Sequence, residues 1–246
     1  MRKLENIGKW LYALSFCVFG IQHFMYADYV ATLVPAWIPW HLFFSYLAGA
    51  AFMAVALSVI INKYVRLSCA MLSLLLALFV LLIHIPNLVG HPQNPQAWTR
   101  ALQDVVIMGT ALMLTGDLRL YLVGKYLFAV PMAILGMQHF AHLAFVTAMV
   151  PNWLPGRAAW DYLVGFIIVI LAAGIISNRY LGVPAKLLGF FLFAFALLYH
   201  VPLLAINLYN GQQWTGFMLD IAIAGGAFIA SSVSATGYQS LKMAVS

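Results

Sequence analysis

Histidine, glutamine and aspartate recur at matching positions of this chain, inside stretches that are otherwise apolar. The sequence reads GIQHF at 20–24 and GMQHF at 136–140, and IHIP at 83–86 is followed by YHVP at 199–202. Imidazole transfers protons near neutral pH, ligates metals or haem iron, and hydrogen bonds to carbonyl oxygens. Because polar side chains are costly in apolar surroundings, residues of this kind usually mark functional sites in membrane proteins.

Three chemical interpretations fit these residues. In a redox interpretation, haem or a quinone is held by side chains that recur at matching positions: Gln22, His23, His84, Trp98, Gln138, His139, His200 and Trp214. In an acid–base interpretation, catalytic couples of histidine and aspartate act on a lipophilic substrate: His23 with Asp104, and His139 with Asp220. A metal site would use carboxylate and the imidazoles of His23, His84, His139 and His200.

Two non-enzymatic alternatives stay open beside this chemistry. The same residues suit a pocket that binds or transports a small lipophilic or amphiphilic ligand without chemistry. They also suit hydrogen bonding between helices in a structural or assembly subunit.

The composition is that of an integral membrane protein. Only 7% of the 246 residues are charged and 65% are hydrophobic, whereas an average soluble protein has about 25% charged residues. Apolar runs of helical length recur along the chain and do not alternate as barrel strands would. We therefore expect an all-α protein with eight transmembrane helices, at about 10–30, 41–61, 67–89, 101–116, 123–143, 158–177, 187–206 and 217–233.

Lysine and arginine are unequally distributed between the two ends of the predicted helices. With a cytoplasmic N-terminus, only Arg100 and Arg157 lie on the outer side, and all other lysines and arginines lie inside. The positive-inside rule therefore predicts that both termini lie in the cytoplasm, with the chain in a cytoplasmic (inner) membrane of bacterial or archaeal type. The net charge of +6 is explained by this topology and gives no reason to expect a nucleic-acid partner.

An internal duplication organises the chain. Shifting the sequence by 116 residues superposes the paired motifs, and also VPAWIP on VPNWLP and NPQAWT on NGQQWT. Each half contains four predicted helices, an even number, so the two halves form parallel repeats at 1–116 and 117–246. The helical rise of about 1.5 Å per residue places the recurrent histidines and aspartates in the outer third of the membrane. We expect a polar pocket there in each four-helix bundle.

At these residues the sequence resembles the DoxX and DoxX-like membrane family. The similar features are GxQHF at the end of the first helix, VPxWxP at 34–39 and 150–155, and HxP at the end of the third helix. They cover nearly the whole chain as two tandem copies, whereas typical members have one four-helix unit. The family includes a subunit of an archaeal thiosulfate:quinone oxidoreductase. The resemblance therefore favours the redox and quinone class of function and, by analogy with that subunit, a partner redox subunit; it does not specify a substrate or cofactor.

Overall fold

The computed structural model describes residues 2–150, 154–177 and 182–232. Every regular element in these ranges is a helix. The long helices of this part of the chain are α1 (Arg2–Met25), α2 (His41–Ile60), α3 (Val65–Gly90), α4 (Pro95–Leu114), α5 (Leu118–Ala141), α6 (Arg157–Ser177), α7 (Val183–Ile206) and α8 (Gly211–Ala230). Short helices Ala27–Ala31 and Leu143–Thr147 follow α1 and α5.

Several predicted features fall outside the described residues. Among them are Trp153 of the second VPxWxP motif, and the basic residues Arg179 and Lys242 that the topology prediction assigns to the inner side.

Six long helices of the described chain are apolar enough to cross a bilayer, namely α2, α3, α5, α6, α7 and α8. The fold is that of an all-α, multi-pass membrane protein, as the composition predicts. The helices α1 and α4 are long but more polar: α1 has Lys3, Glu5 and Lys9 in its first turns, and α4 contains Arg100 and Asp104. For these two helices, membrane crossing stays a prediction.

Asparagine caps explain why two helices begin earlier than predicted. The side chain of Asn94 accepts a hydrogen bond from the backbone N–H of Gln96, so α4 begins at 95 and not at 101. Asn210 accepts from the N–H of Gln213, and α8 begins at 211 and not at 217. Asparagine is favoured here because its short side chain reaches the unpaired N–H groups of the first helical turn. The recurrence of asparagine at 94 and 210 therefore has a structural explanation.

The helix termini gather at two opposite ends, and one of them is rich in basic residues. Arg66 at the start of α3 forms an ion pair with Asp117 before α5, with 3.4 Å between nitrogen and oxygen. The Tyr121 hydroxyl near the start of α5 donates to the carbonyl oxygen of Ala230 at the end of α8. Lys9 of α1 lies beside the end of α2 at the same level. We call this the basic end.

The opposite end contains the recurrent histidines. There the end of α1 meets the start of α8, because Gln22 hydrogen bonds to Gly211. In the same way the end of α5 meets the start of α4, because Gln138 accepts a hydrogen bond from Thr99. We call this the histidine end.

The helices α4 and α8 lie at the centre of the assembly. α4 contacts α3, α5 and α8, while α8 contacts α7, α1 and α4. The first helix of each predicted half therefore packs against the last helix of the other half. The sequence did not indicate which helices join the halves, and the structure assigns this role to α1 with α8, α4 with α5, and α4 with α8.

Glycines let the cross-half helix pairs approach closely. A Cβ atom at Gly109 on α4 would lie 2.5 Å from the carbonyl oxygen of Gly124 on α5. A Cβ atom at Gly225 on α8 would lie 2.7 Å from the carbonyl oxygen of Gly8 on α1. Small residues permit such backbone contact between membrane helices. These four positions correspond under the 116-residue shift, so both pairs cross at equivalent points.

Candidate functional site

An imidazole–carboxylate pair joins the third and fourth helices of each predicted half. Nε2 of His84 on α3 lies 2.8 Å from Oδ2 of Asp104 on α4. Nε2 of His200 on α7 lies 3.2 Å from Oδ2 of Asp220 on α8. Because an ionised carboxylate only accepts hydrogen bonds, Nε2–H of each histidine donates. Pairing offsets part of the cost of placing these polar groups among apolar helices.

Both pairs remain partly accessible. The side chains of His84 and Asp104 are 16% and 21% exposed, and those of His200 and Asp220 are 9% and 18% exposed. A partly exposed pair can contact a ligand without a large opening of the helices. The two pairs are therefore candidate binding groups as well as links between helices.

The helix that carries His84 changes its pitch next to this histidine. Residues Val80–His84 form a π-helical turn, in which the N–H of Ile85 donates to the carbonyl oxygen of Val80. Pro86 lacks an N–H donor and crowds the preceding turn, so the wider π turn relieves this conflict. Such turns are frequent at functional sites. Pro202, the equivalent proline, lies within α7.

The surroundings of the two pairs differ. Oε1 of Gln213 lies 3.4 Å from Nδ1 of His200, whereas alanine occupies the equivalent position 97 of the first half. Gly216 makes room for the ring of His200, since a Cβ atom there would lie 2.8 Å from its Cε1 atom. Arg100 occupies the equivalent position in the first half. Gln213 therefore lies beside the pair of His200 and Asp220. Near the other pair, Arg100 precedes Asp104 by one helical turn.

The histidines of GIQHF and GMQHF pack against the second helix of their half. A Cβ atom at Gly49 on α2 would lie 2.8 Å from Cβ of His23, and one at Gly165 on α6 would lie 2.5 Å from Cβ of His139. Glycine thus brings each histidine against the neighbouring backbone. The two histidines occupy equivalent places in the fold.

Neither of these histidines contacts the aspartate that the acid–base interpretation assigned to it. Asp104, predicted to pair with His23, pairs instead with His84, and Asp220 pairs with His200. The helical pitch explains the difference, because it turns each aspartate of the fourth helix toward the third helix. A catalytic role for His23 and His139 stays a prediction, without these aspartates as their hydrogen-bonding partners.

Asp161 is the residue that sequence reasoning missed. Its Oδ1 lies 2.5 Å from Nδ1 of His139, and its side chain is only 1% exposed. Its Oδ2 accepts a hydrogen bond of 3.0 Å from the hydroxyl of Thr147, whose carbonyl oxygen accepts from Arg157. The internal comparison hid this residue because Ser45 occupies the equivalent position. A carboxylate near the outer end of an apolar run was the available signal.

Gln22 and Gln138, predicted to bind a ligand, link the two predicted halves. Nε2 of Gln22 donates to the carbonyl oxygen of Gly211 at 2.9 Å, and its Oε1 accepts from the hydroxyl of Thr215 at 3.1 Å. Oε1 of Gln138 accepts from the hydroxyl of Thr99 at 2.9 Å. The glutamine of each half therefore bonds to the fourth helix of the other half. Ligand binding by these glutamines stays a prediction.

The two tryptophans that were predicted to bind a ligand hold the loops that precede their own helices. Nε1–H of Trp98 donates to the carbonyl oxygen of Pro92 at 2.9 Å, and Nε1–H of Trp214 donates to that of Leu208 at 2.8 Å. The ring of Trp98 is exposed, whereas the ring of Trp214 packs against Phe217, with ring centroids 6.2 Å apart. The N–H groups of both are already engaged in the fold.

The predicted metal site is not assembled in the described part of the chain. No three of its histidine, cysteine, aspartate and glutamate side chains lie together in a way that would hold a metal ion. His23 instead hydrogen bonds to the carbonyl oxygen of Phe19 and packs edge-on to Phe52, with ring centroids 4.9 Å apart. A metal role for His23, His84, His139 and His200 therefore gains no support from this geometry.

A cavity of about 270 Å³ lies at the basic end, away from the histidines. It opens between α1 and the end of α2, and its lining includes Lys9, Trp10 and Asn62. Lys9 is paired there with Glu5, at 2.7 Å between nitrogen and oxygen.

Comparisons with known protein families, with curated proteins and with solved structures find no match to this chain. The functional argument therefore rests on the residues and their geometry.

Proposed function

We propose that this protein is a redox-linked membrane protein that binds a quinone at the histidine–aspartate pairs of its histidine end. The observation that carries the proposal is the recurrence of one pair, His84 with Asp104 and His200 with Asp220, at equivalent places. Nothing in apolar helix packing requires such a pair. The free-energy cost of placing polar groups among apolar helices is nevertheless incurred twice in the same molecule.

The chemistry of the pair suits a quinone. Asp104 accepts from Nε2–H and fixes the ring of His84, so Nδ1 of this histidine is left to accept a proton from the hydroxyl group of a reduced quinone. His200 and Asp220 offer the same groups in the second half. When bound, a quinone would supply electron- and proton-transfer chemistry that these side chains lack.

Haem is less well supported than a quinone. Iron ligation requires the lone pair of a ring nitrogen. Nε2 of His84 and Nε2 of His200 each face a carboxylate and carry a proton in that contact. Each histidine would have to ligate through Nδ1, and the Nδ1 atom of His200 lies beside Gln213.

The proposed architecture has eight membrane spans in two parallel, DoxX-like repeats, 1–116 and 117–246. The equivalent glycine crossings, Gly8 with Gly225 and Gly109 with Gly124, support this proposal. The helices α1 and α4 are the structural counterparts of α5 and α8, which are apolar enough to span. This correspondence supports the proposal that α1 and α4 cross the membrane as well.

The proposed orientation has the basic end in the cytoplasm and the histidine end toward the outer face of the inner membrane. The ion pair of Arg66 with Asp117 and the position of Lys9 gather charge at one end, which supports this assignment. Electrons for a bound quinone would come from a partner redox subunit.

The test is the quinone content of the purified protein. Wild-type protein in mild detergent is expected to retain quinone in its lipid extract and to show no Soret band. The double variant His84→Asn and His200→Asn should lose most of it. The control is His91→Asn, which makes the same change at an exposed histidine. Equal quinone in all three proteins, or retention of a different lipid, would refute the proposal and favour a binding protein without redox chemistry.

A further inference from the structure

The fourth helix presents different side chains to the paired histidine in the two halves. In the second half, Oε1 of Gln213 lies 3.4 Å from Nδ1 of His200, and Phe217 packs against the ring with centroids 6.0 Å apart. The equivalent positions of α4 contain Ala97 and Ala101, whose methyl side chains provide neither a hydrogen bond nor a ring contact. The histidine of the second half is therefore enclosed by two groups that the first half lacks.

These differences leave one open hydrogen-bond acceptor, Nδ1 of His84. Because Nε2–H of this ring donates to Asp104, Nδ1 retains its lone pair. No group in the described part of the chain hydrogen bonds to this nitrogen. Nδ1 of His200 also has a lone pair, but the amide of Gln213 can turn its N–H group toward it. The first half therefore offers an acceptor to a ligand, whereas Gln213 occupies the equivalent acceptor of the second half.

Arg100 on α4 lies close to this open acceptor. It precedes Asp104 by one helical turn, and residues four apart share a helix face, so Arg100 lies on the face of α4 that meets His84. The second half gives the distance at the equivalent position. There, a Cβ atom at Gly216 would lie 2.8 Å from Cε1 of His200. The correspondence of the halves therefore indicates that the arginine side chain begins beside the ring of His84.

The guanidinium of Arg100 has no ion-pair partner among the residues that the structure describes. The side chain is half-buried, and its Nη1 donates to Oε1 of Gln103, a neutral group, at 3.4 Å. A cation at the histidine end also runs against the positive-inside distribution of most basic residues in the chain. A bound anion would supply the missing negative charge at this place.

We propose that His84 and Asp104 form the ligand-binding pair, that Arg100 is a third binding residue, and that the ligand is an anionic quinone. A quinone of this class has an ionised ring hydroxyl group, whose oxygen accepts charge-assisted hydrogen bonds from the guanidinium. In the reduced form, a hydroxyl group of the ring donates to Nδ1 of His84. The pair of His200 and Asp220 has the same groups without the arginine, and it links two helices. This inference rests on the proposed function and narrows it to one half and one class of quinone.

The test compares two probes of similar shape that differ in charge at neutral pH. Lawsone is a hydroxynaphthoquinone and an anion, whereas menadione is a methylnaphthoquinone and neutral. Full-length wild-type protein in mild detergent is expected to bind lawsone more tightly. Arg100→Gln should weaken lawsone binding about 10- to 100-fold, the loss expected for a charge-assisted hydrogen bond, and menadione binding by less than about 10-fold. The control is Arg119→Gln, the same substitution at an exposed arginine of the basic end.

Variants of the two histidines test which half binds the ligand. His84→Asn should abolish lawsone binding, whereas His200→Asn should leave one site per protein with unchanged affinity. Arg100→Lys keeps the positive charge and should retain most of the preference for lawsone. Continued binding of menadione by Arg100→Gln would show that this variant is folded.

Four results would overturn the inference. They are equal affinity of wild-type protein for the two probes, equal lawsone binding by Arg100→Gln and Arg119→Gln, an equal loss of both probes in Arg100→Gln, and loss of lawsone binding in His200→Asn but not in His84→Asn. Each leaves the proposed function in place, because the wild-type protein still binds a quinone. Wild-type protein that binds neither probe would overturn both.

Discussion

Replacing Gly109 by alanine is expected to destabilise the protein by separating α4 from α5. The added Cβ atom would lie 2.5 Å from the carbonyl oxygen of Gly124 and 2.7 Å from the backbone nitrogen of Phe128. Both are main-chain atoms that cannot rotate away, and ordinary contact begins at 3.4 Å. Overpacking of this kind costs about 1–3 kcal/mol. In a protein of this size, the corresponding decrease in Tm is roughly 2 to 12 °C.

The assay is the loss of the monodisperse size-exclusion peak after heating in detergent, which gives an apparent Tm for each variant. Gly90→Ala is the control, because a Cβ atom there would have nothing within 4 Å. Gly225→Ala should behave like Gly109→Ala, since it lies at the equivalent crossing of α8 with α1. If Gly109→Ala melted at the same temperature as Gly90→Ala, the close approach of the helices would be refuted.

Two further predictions concern the remaining polar contacts. Gln22→Ala removes both hydrogen bonds to α8 and, at about 0.5–1.5 kcal/mol for each bond, should lower the free energy of unfolding by about 1–3 kcal/mol. Gln96→Ala, at an exposed position, should change it little in the same thermal assay. The backbone N–H of Leu120 lowers the pKa of the Asp117 carboxyl group, so its contribution to stability is complete above the ordinary carboxyl pKa and is lost as pH falls through the lowered one. Asp117→Asn keeps the helix cap and should flatten this acid limb of the Tm–pH profile; an unchanged acid limb would contradict this cause.

The apolar helices could be predicted from the sequence because the length of an apolar run depends only on local composition. Sequence reasoning placed six apolar helices that the structure also contains, and the cap Asn210 shifts the start of one of them. The cap Asn94 shifts the start of the more polar α4 in the same way. Sequence reasoning could not show that α1 packs on α8, because packing between distant helices depends on small contact residues such as Gly8 and Gly225. These glycines carry no signal of their own in an apolar run.

The sequence indicated only some of the residues that the structure brings together, for a related reason. Residues kept in both halves included His84 and His200, which form matched pairs with aspartate, but also Asn94, which caps a helix. Retention alone does not separate the two roles. Asp161 has no acidic counterpart in the first half. A comparison of the halves therefore excluded it from the candidate residues, although the structure places it against His139.

The most direct test of the central claim is photolabelling of the purified protein with an azido-quinone, followed by mapping of the labelled peptides. The account predicts labelling at the histidine end, on peptides that contain His84, Asp104, His200 or Asp220. Excess unlabelled quinone should displace this label, and the double variant His84→Asn and His200→Asn should lose it. Displaceable labelling confined to the basic end, around the cavity beside Lys9, would contradict the account.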